Sequence, residues 1–545
     1  MTTARAAGDA ALLVEAETAA GGLAAALRAS RLPGVLDVIP GARTVLVIVE
    51  PGSWDLGALA RRVAAVPVTV GATAGRALAE IPVVYDGPDL AGLARLTGLT
   101  VSEVIARHAA REYTVGWLGF SPGFAYLTGL DPALEASRLD APRLRVPAGS
   151  VAVAGRLSAV YPSESPGGWR LLGRTSAALW DPGREPPALL APGMRVRFRP
   201  VSDLPPAGPA VRPISTRHGS QLSQASRDAA SNVIEVIRPG PLATVQDLGR
   251  PGLGHLGVPR SGAADAASLL RANQLTGNPP DAAGLELTLG KAVLRFSGEA
   301  LVAVTGAAAP VTLAAGADQA AAEMEFGTAF GVPAGSLLRI GTPAAGLRTY
   351  LAVRGGIEVP AAAGSRSADL LSGLGPAPLR AGDLLPVGAP VLPADDTGAE
   401  PRRAAGLPGR VPGLPGRVPG LPGRRARAAS GPAELRVLPG PRDDWFAAGA
   451  IGLLCGAGYL VTPASDRTGL RLDGPALPRA RDGELASEGM VTGALQVPPD
   501  GRPILLLADH PVTGGYPVIA VVVSADIGLA AQLRPGQPVR FTLSG

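Results

Sequence analysis

One order of turn and strand signals occurs three times in this 545-residue chain, and it constrains the fold more than any other feature. Each copy has a Pro/Gly turn that starts a strand, a Gly-Gly turn some twenty residues later, and a further Gly turn before a last strand. The Gly-Gly turns are PGGW at 166–169, RGGI at 354–357 and TGGY at 513–516. Three copies of one β-rich barrel are the simplest interpretation. The glycines are then first of all structural, because glycine accepts positive φ and close backbone approach.

The length of the chain and its local patterns predict further domains and a linker in addition to these barrels. A chain of 545 residues exceeds one ordinary core and predicts three or more domains. Near the N-terminus, strand-like apolar runs alternate with Ala/Leu-rich helical stretches, which indicates a small α/β unit. A single helix is predicted from about Asp89 through Arg111. A polar, Ser/Pro-rich stretch at 203–232 separates the two halves of the chain.

The basic charge of the chain is concentrated in one segment. The formal net charge is +5, yet residues 401–433 hold seven arginines and no acid, which leaves −2 on the rest. This segment contains GLPGRVPGLPGRVPGLPGR, a seven-residue repeat whose Gly and Pro can build neither helix nor sheet. We interpret it as a flexible basic insertion, with a salt-dependent anion tether as the alternative. No nucleic-acid partner is expected for the nearly neutral remainder.

Several residue types are too scarce for common kinds of site. Lys291 is the only lysine, and its surroundings fit neither a phosphate-binding P-loop, nor a biotin acceptor, nor a Ser-Ser-Lys amidase centre. Nucleotide phosphates would therefore be met by arginines and backbone N–H groups. One cysteine, Cys455, and four histidines without ligand spacing predict no metal site.

No signal peptide and no membrane span are expected. Asp9 and Glu15 interrupt the apolar residues near the N-terminus, and Gly and Pro break the longest uncharged run, 300–317. We therefore expect a soluble, cytoplasmic protein without a membrane partner.

Four motifs admit both a structural and a functional interpretation. His108, on a predicted helix face, is more often a satisfied buried histidine than a catalyst. The turn GFSPGF at 119–124 forms either a ligand-pocket wall, which we favour, or a rigid turn covered by its phenylalanines. In QDLGR at 246–250, the polar residues form either a site cluster or an Asp-Arg pair that anchors a loop. Asp265 and Asn273 are either site residues or a helix cap and a buried amide.

Long stretches of both halves resemble known families. In the first half, YTVGWLGFSPGFAYLTGLDPAL (113–134) and PRLRVPAGSVAVAGRLSAVYPSESPGGWRLLGRT (142–175) resemble allophanate hydrolase subunit 1, a family that includes sporulation kinase inhibitors and the B component of 5-oxoprolinase. The second half resembles allophanate hydrolase subunit 2, or the C component of 5-oxoprolinase. The stretches that carry this second resemblance are GPLATVQDLGRPGLGHLGVPRSGAADAASLLRANQLTGN (240–278), LELTLGK (285–291), RGGIEVP (354–360), GSRSADLLSGLG (364–375), SDRTGLRLDG (465–474) and LASEGMVTGALQVPPDGRPILLLADHPVTGGYP (485–517).

The resemblance implies a mainly β fold with α/β portions, namely a small α/β cap followed by three cyclophilin-like β-barrel domains. The implied segments are the cap at 1–85, the first barrel at 86–202, the linker at 203–232, the second barrel at 233–396, the Gly/Pro/Arg repeat insertion at 397–432 and the third barrel at 433–545.

The resemblance also implies a function. Because the subunit-1-like half leads and no biotin acceptor is present, an ATP-dependent 5-oxoprolinase is favoured over a urea carboxylase. Such an enzyme uses ATP, with Mg²⁺, to phosphorylate the lactam of 5-oxo-L-proline and opens it to L-glutamate, together with a separate protein like the A component of 5-oxoprolinase. The resemblance leaves open whether the chain forms a homo-oligomer. The alternatives are a biotin-dependent carboxyltransferase that takes carboxyl from biotin on another chain, and a regulator that binds a histidine kinase.

The same resemblance suggests site residues. Arginines would clamp phosphate or carboxylate and acids would handle protons or metal, although an internal ion pair that stiffens a turn is the alternative for SDRTGLRL. The candidate catalytic residues are Asp466, Arg467, Glu488, Asp509 and His510. The candidate substrate- or nucleotide-binding residues are His108, Phe120, Pro122, Gly123, Phe124, Tyr161, Gly167, Gly168, Trp169, Arg174, Gln246, Asp247, Arg250, Asn273, Arg366, Arg471, Thr513, Gly514, Gly515 and Tyr516. His510 stands where many relatives have Arg, and Thr468 where Met is common.

Overall fold

The computed structural model describes seven ranges of the chain, and they are mostly β. The described ranges are 3–67, 77–139, 143–205, 232–315, 320–390, 431–483 and 485–544. Strands account for 36% of the residues and helices for 16%, in closed and nearly closed barrels, which confirms the predicted fold class. The predicted linker and the predicted repeat insertion lie almost entirely outside the described residues, at 206–231 and 391–430. Within the described ranges, no helix is both long and apolar enough to cross a bilayer.

The N-terminal unit is a four-stranded antiparallel sheet in the order β1-β2-β4-β3, with two helices. Its elements are β1 (Ala4–Ala6), β2 (Ala11–Glu15), α1 (Ala20–Ser30), β3 (Val35–Pro40), β4 (Thr44–Val49) and α2 (Leu56–Ala64). Alternate residues of β2 face opposite sides: Leu12 and Val14 pack under the two helices, whereas Ala11 and Leu13 pack against the third barrel. Both faces are therefore buried, which explains why these strands are apolar throughout.

The first barrel is a seven-stranded sheet in the order β12-β9-β10-β7-β6-β13-β5, with two helices against it. Its elements are β5 (Leu78–Val83), α3 (Leu90–Thr97), α4 (Val101–Ala110), β6 (Glu112–Leu118), β7 (Ala125–Thr128), β8 (Arg143–Val146), β9 (Ser150–Ala154), β10 (Leu157–Val160), β11 (Ser165–Gly167), β12 (Arg170–Arg174) and β13 (Arg195–Pro200). A bridge between Val84 and Arg174 nearly closes the sheet.

The single helix predicted between Asp89 and Arg111 is wrong, because two helices occupy this stretch. Gly98 ends α3 with a left-handed φ of 69°, a conformation that favours glycine. Thr100 then starts α4 with a capping box: its side chain accepts the N–H of Glu103, and the Glu103 carboxylate accepts the N–H of Thr100.

The second barrel has a six-stranded sheet, β20-β19-β22-β17-β14-β24, and a five-stranded sheet, β15-β16-β23-β18-β21, around one apolar core. Its elements are β14 (Val233–Arg238), β15 (Leu242–Gln246), α5 (Ala266–Thr276), β16 (Gly284–Thr288), β17 (Ala292–Phe296), β18 (Ala300–Gly306), β19 (Val311–Ala314), β20 (Ala322–Met324), β21 (Ala329–Val332), β22 (Leu337–Ile340), β23 (Arg348–Val353) and β24 (Leu384–Pro386).

The third barrel is closed, in the order β25-β32-β29-β30-β27-β26-β33, and a two-stranded ribbon, β28-β31, lies beside it. Its elements are β25 (Ala433–Pro439), α6 (Ala450–Gly456), β26 (Gly458–Val461), β27 (Gly469–Asp473), β28 (Glu488–Gly489), β29 (Ala494–Gln496), β30 (Ile504–Leu506), β31 (Thr513–Gly514), β32 (Val518–Val522), α7 (Ile527–Ala531) and β33 (Pro538–Leu543).

The three Gly-Gly turns need glycine for two different reasons. Gly355 and Gly356 have φ values of 97° and 73°, where an L side chain is strained. Gly167 instead needs space, because a Cβ there would lie 2.2 Å from the Tyr161 hydroxyl. At Gly515 a Cβ would lie 2.7 Å from Nη1 of Arg138 and would displace the end of that side chain. Positive φ therefore decides the residues at the second turn, and close approach decides Gly167 at the first.

Candidate functional site

The segment 509–516 of the third barrel lies between the other two barrels. Its first residue, Asp509, contacts the second barrel, since Ser261 donates a hydrogen bond to it over 2.7 Å. Its fifth residue, Thr513, contacts the first barrel, since the N–H of Phe120 donates to the Thr513 hydroxyl over 2.8 Å. We call this segment, together with the loop 119–124 of the first barrel, the junction. It brings both halves of the chain to one place.

The first-barrel side of the junction is aromatic. The Tyr126 hydroxyl lies 3.0 Å from the Thr513 hydroxyl, and the Tyr126 ring stacks on Trp117 with centroids 4.4 Å apart. Phe124 meets Tyr161 edge-on at 5.2 Å. These rings are almost fully buried, and Trp169 and Phe120 extend the same cluster. The predicted pocket wall is thus a packed aromatic surface on which the Thr513 loop sits.

The loop that carries this surface is conformationally strained. Phe120 has a φ of 62°, which is sparsely populated for a side chain of this size. Two contacts with the third barrel hold it: its N–H donates to Thr513, and its carbonyl accepts the N–H of Val512 over 3.4 Å. Backbone strain of this kind concentrates at functional sites, where neighbouring structure holds it in place.

A cation, Arg138, lies beside the Gly-Gly turn of the third barrel. The guanidinium of Arg138 lies against Gly515, and a Cβ at Gly514 would lie 2.6 Å from Nε2 of Gln496. Burial raises the pKa of Tyr126, and hydrogen bonds to Thr513 and Ser487 and the charge of Arg138 partly offset this. The junction therefore places a guanidinium beside buried, neutral phenols.

A buried group of charged and polar side chains joins the second and third barrels, and we call it the charge cluster. Arg467 is 1% exposed and binds Asp509 through two nitrogens, at 2.8 and 2.9 Å. Its third nitrogen donates to Glu286 of the second barrel over 2.5 Å. The cluster comprises Ser261, Glu286, Arg348, Tyr350, Asp369, Arg467 and Asp509.

The charges in this cluster compensate one another. Burial favours the neutral form of Arg467, but Asp509 and Glu286 outweigh it and hold its pKa well above the usual value. Burial likewise acts to raise the pKa of Glu286, but Arg467 and Arg348 reverse this and lower it. Glu286 also accepts hydrogen bonds from Tyr350 and from the N–H of Ala264. Arg467 and Glu286 are thus held in their charged forms by ion pairs and hydrogen bonds.

The QDLGR motif lies next to this cluster and anchors a loop. Asp247 accepts hydrogen bonds from Ser365 and Ser367 and from the N–H of Arg366, at 2.5 to 2.6 Å. Arg250 donates to the carbonyl of Ser367 over 2.5 Å. The Gln246 amide donates to the carbonyl of Ala368. These polar residues hold 362–368 against the second barrel, which fits the loop-anchor alternative.

His510 follows Asp509 within the junction. Its Nδ1 lies 2.9 Å from the carbonyl of Pro511, which can only accept, so this nitrogen carries the proton. Burial lowers the pKa of His510, and the Pro511 carbonyl and Asp509 partly offset this. Its Nε2 is therefore the unprotonated nitrogen of a neutral imidazole, and it can accept a proton.

Glu488 lies on the cap side of the third barrel. Arg442 donates to it through two nitrogens at 2.9 and 2.7 Å, and also to Glu15 of the N-terminal unit at 2.7 Å. Burial raises the pKa of Glu488, and Arg442 partly offsets this. Glu488 therefore forms part of an ion-paired link between the two units. The adjacent Ser487 contacts Tyr126 of the junction.

Besides Arg467, Glu488 and the QDLGR residues, six further predicted site residues lie away from the junction. His108 is fully buried between Tyr85 and Ser158, both ring nitrogens are hydrogen-bonded, and burial lowers its pKa to about 3. Asn273 is a buried amide that binds the loop carbonyls of Pro280 and Ala282. The other four lie at the surface or in an exposed turn: Arg174 pairs with Asp86, Arg366 pairs with Glu358, Asp466 caps the N–H groups of Thr468 and Gly469, and Arg471 is exposed.

Several residues that build the site were not predicted. Glu286 lies inside the quoted stretch LELTLGK, and its charge in an apolar strand was the available signal. Arg138, Ser261 and Tyr350 carried no such signal, because only the packing of distant segments gives them partners. Among the described residues, no group of three or more His, Cys, Asp or Glu side chains is placed to hold a metal ion.

Thr513→Val should lower the free energy of unfolding by about 2 kcal/mol, because a valine of the same shape leaves the Phe120 N–H without a partner and removes one of the two hydrogen bonds of the Tyr126 hydroxyl. Urea denaturation would measure the change. The control is Thr128→Val, which removes an exposed hydrogen bond within the first barrel and should change stability by less than about 0.5 kcal/mol. Equal effects of the two substitutions would contradict the role assigned to Thr513.

Comparisons with known proteins agree across both halves. The family described as "Carboxyltransferase domain, subdomain A and B" matches residues 256–543, and "Carboxyltransferase domain, subdomain C and D" matches residues 2–190. The C component of 5-oxoprolinase from Escherichia coli (strain K12) is 36% identical over 318 residues, covering 57% of this chain and 90% of that protein. The B component of 5-oxoprolinase from Escherichia coli O157:H7 is 43% identical over 176 residues, covering 32% and 81%.

A solved structure is similar over nearly the whole chain. The crystal structure of TTHA0988 has 36% sequence identity and a TM-score of 0.79, and the match covers 99% of this chain and 100% of that one. This likeness includes both halves.

Proposed function

This chain belongs to the carboxyltransferase-domain family, as its sequence resemblance predicted, and from that premise we propose that it is the fused B and C component of an ATP-dependent 5-oxoprolinase. The observation that carries the proposal is the junction. Its residues come from the half similar to the B component and from the half similar to the C component, and direct hydrogen bonds join them. A site that needs both halves explains why they occur in one chain.

The chemistry of the proposed reaction fits these residues. Transfer of the terminal phosphoryl group of ATP to the lactam oxygen releases ADP and leaves a ring carbon that water can attack. Water adds to this carbon, the ring C–N bond breaks and the nitrogen takes a proton, which leaves γ-glutamyl phosphate. A second water then hydrolyses this acyl phosphate to glutamate and phosphate. Phosphoryl transfer needs positioning and cations more than covalent help from the protein. Arg138 beside Gly515 would face anionic oxygens. A magnesium ion would arrive with the nucleotide.

In this proposal, His510 handles a proton. A neutral imidazole whose Nε2 carries no proton can take the proton of the attacking water. His510→Gln should therefore lower kcat by about 100-fold with little change in KM, as measured by glutamate release. His510→Asn, which can still donate to the Pro511 carbonyl but lacks a basic nitrogen, should be equally slow. Full activity in either variant would exclude His510 as the base.

The experiment that tests the proposal uses the purified chain with 5-oxo-L-proline and ATP, with and without a separate protein like the A component of 5-oxoprolinase. Glutamate and ADP formed in equal amounts, and only when both proteins are present, would support it. A cytoplasmic location and the A-like partner belong to the same proposal. No turnover in any combination would refute the assignment for this chain.

A second candidate function is a carboxyltransferase, which the description of the matching family favours. It would take carboxyl from biotin on another chain. Avidin separates the two candidates: it should block a carboxyltransferase reaction and leave the ATP-dependent ring opening unchanged.

A further inference from the structure

A second group of charged side chains lies between the N-terminal unit and the second barrel, and we call it the cap cluster. It consists of Arg28 at the end of α1, Asp37 on β3, and His255 and Arg260 on the loop between β15 and α5. One carboxylate oxygen of Asp37 accepts the N–H of Gly254 across this boundary over 3.0 Å. The cluster therefore exists only where the two units meet.

The cap cluster carries more positive than negative charge. Among the described residues, the Asp37 carboxylate is the acidic neighbour of both Arg28 and Arg260. Burial lowers the pKa of Arg28, and Asp37 only partly offsets this. Nη1 of Arg28 is buried and has no hydrogen-bond partner among the described residues. A buried donor without a partner is costly, and an anion bound here would satisfy it.

His255 adds an acceptor to these donors. Its Nδ1 lies 3.1 Å from the carbonyl of Gly252 and therefore carries the proton. Burial and the nearby charge of Arg28 lower the pKa of His255 to about 4, so the ring is neutral at pH 7. Its Nε2 is then a lone-pair acceptor beside a guanidinium. This pairing suits a ligand that presents an anion and an N–H group close together.

The cluster is open to solvent and adjoins the junction. Arg260 is exposed, and Arg28 and His255 are half-buried. Leu256, next to His255, accepts the N–H of Gly123 over 3.1 Å. The loop that carries His255 and Arg260 thus contacts the loop 119–124 that forms one side of the junction.

We infer that the cap cluster binds a small carboxylic acid whose carboxylate has a neighbouring N–H donor, with Arg28 and Arg260 on the carboxylate and Nε2 of His255 on the N–H. 5-Oxo-L-proline has this pattern, so the inference rests on the proposed function and adds a substrate subsite to it. A phosphate group would share the arginines but would offer no adjacent N–H.

Calorimetric titration of the full chain, without ATP or the A-like partner, tests this inference independently of turnover. The probes are 5-oxo-L-proline, the corresponding lactone acid with ring oxygen in place of N–H, and inorganic phosphate. We expect the lactam acid to bind about tenfold more tightly than the lactone acid. His255→Phe should abolish that difference. Tighter binding of phosphate than of the lactam acid, or no binding of the lactam acid, would overturn the inference.

Substitutions that change the affinity for the lactam acid in opposite directions distinguish a binding role from a structural one. Arg28→Met and Arg260→Met should each weaken binding of the lactam acid by tenfold or more, whereas Asp37→Asn, which removes the competing carboxylate, should strengthen it. The control is Arg62→Met, an exposed arginine on α2 of the same unit, which should leave the affinity unchanged. A weaker affinity in all four variants, or in none, would contradict the assigned site.

Discussion

Arg467→Met should lower the free energy of unfolding by about 3–5 kcal/mol, the cost of breaking a buried ion pair by removing one partner. Methionine approximates the volume of the side chain but removes the bidentate partner of Asp509 and leaves Glu286 with Arg348 alone. Both carboxylates are at most 1% exposed, so water cannot replace the guanidinium without rearrangement. Because Arg467 bonds to both barrels, the loss should loosen the contact between them. Urea denaturation would give the change in free energy.

Two companion experiments identify the cause of this loss. Arg502→Met removes an exposed pair with Asp473 at 2.6 Å and should cost less than about 1 kcal/mol. Neutralising Asp509 in the Arg467→Met background, with Asp509→Asn, should recover part of the stability, because Asp509 then carries no unpaired charge, whereas Glu286 keeps Arg348 as its partner. If Arg467→Met costs no more than Arg502→Met, the charge cluster does not hold the barrels together.

The architecture could be predicted from sequence because it depends on local signals repeated along the chain. Each Gly-Gly turn and its flanking strand signals fall within 45 to 56 residues, and their threefold recurrence indicated the barrels. The prediction of one helix at 89–111 was wrong for an equally local reason. Its apolar spacing continues through Gly98, so periodicity concealed a cap that only the left-handed φ of Gly98 reveals.

The site was harder to predict because its partners are far apart in sequence. Arg467 was predicted to clamp a phosphate or carboxylate, with an internal ion pair as the alternative; the structure shows internal ion pairs, and one partner, Glu286, lies 181 positions away. The neighbouring Asp466 was equally a candidate catalytic residue, yet its side chain points outward and caps a turn. Adjacent residues of an extended segment face opposite sides, and the sequence does not show which side is buried. The cap cluster depends in the same way on the docking of two units.

Asp369→Asn should make the protein more stable at pH 7 and remove part of its pH dependence. Burial, reinforced by the nearby Asp509, raises the pKa of Asp369 to about 6 from 3.8. The folded chain then holds a proton that the unfolded chain releases near pH 4, so the stability contributed by this group is present below pH 4 and lost as pH rises through about 6.

A shift of this size corresponds to a loss of up to about 3 kcal/mol at pH 7, which an uncharged asparagine avoids. Asparagine can keep the local bonds, because its carbonyl oxygen can accept the N–H groups of Leu371 and Ser372 that Asp369 binds at 3.0 and 3.1 Å. Urea midpoints measured from pH 4 to 8 should therefore coincide for the two proteins at the acid end and diverge above pH 5. Asp500→Asn, at an exposed aspartate that also caps a turn, should follow the parent at every pH. Parallel curves for Asp369→Asn and the parent would mean that Asp369 is ionised throughout, with Arg250 rather than a proton balancing its charge.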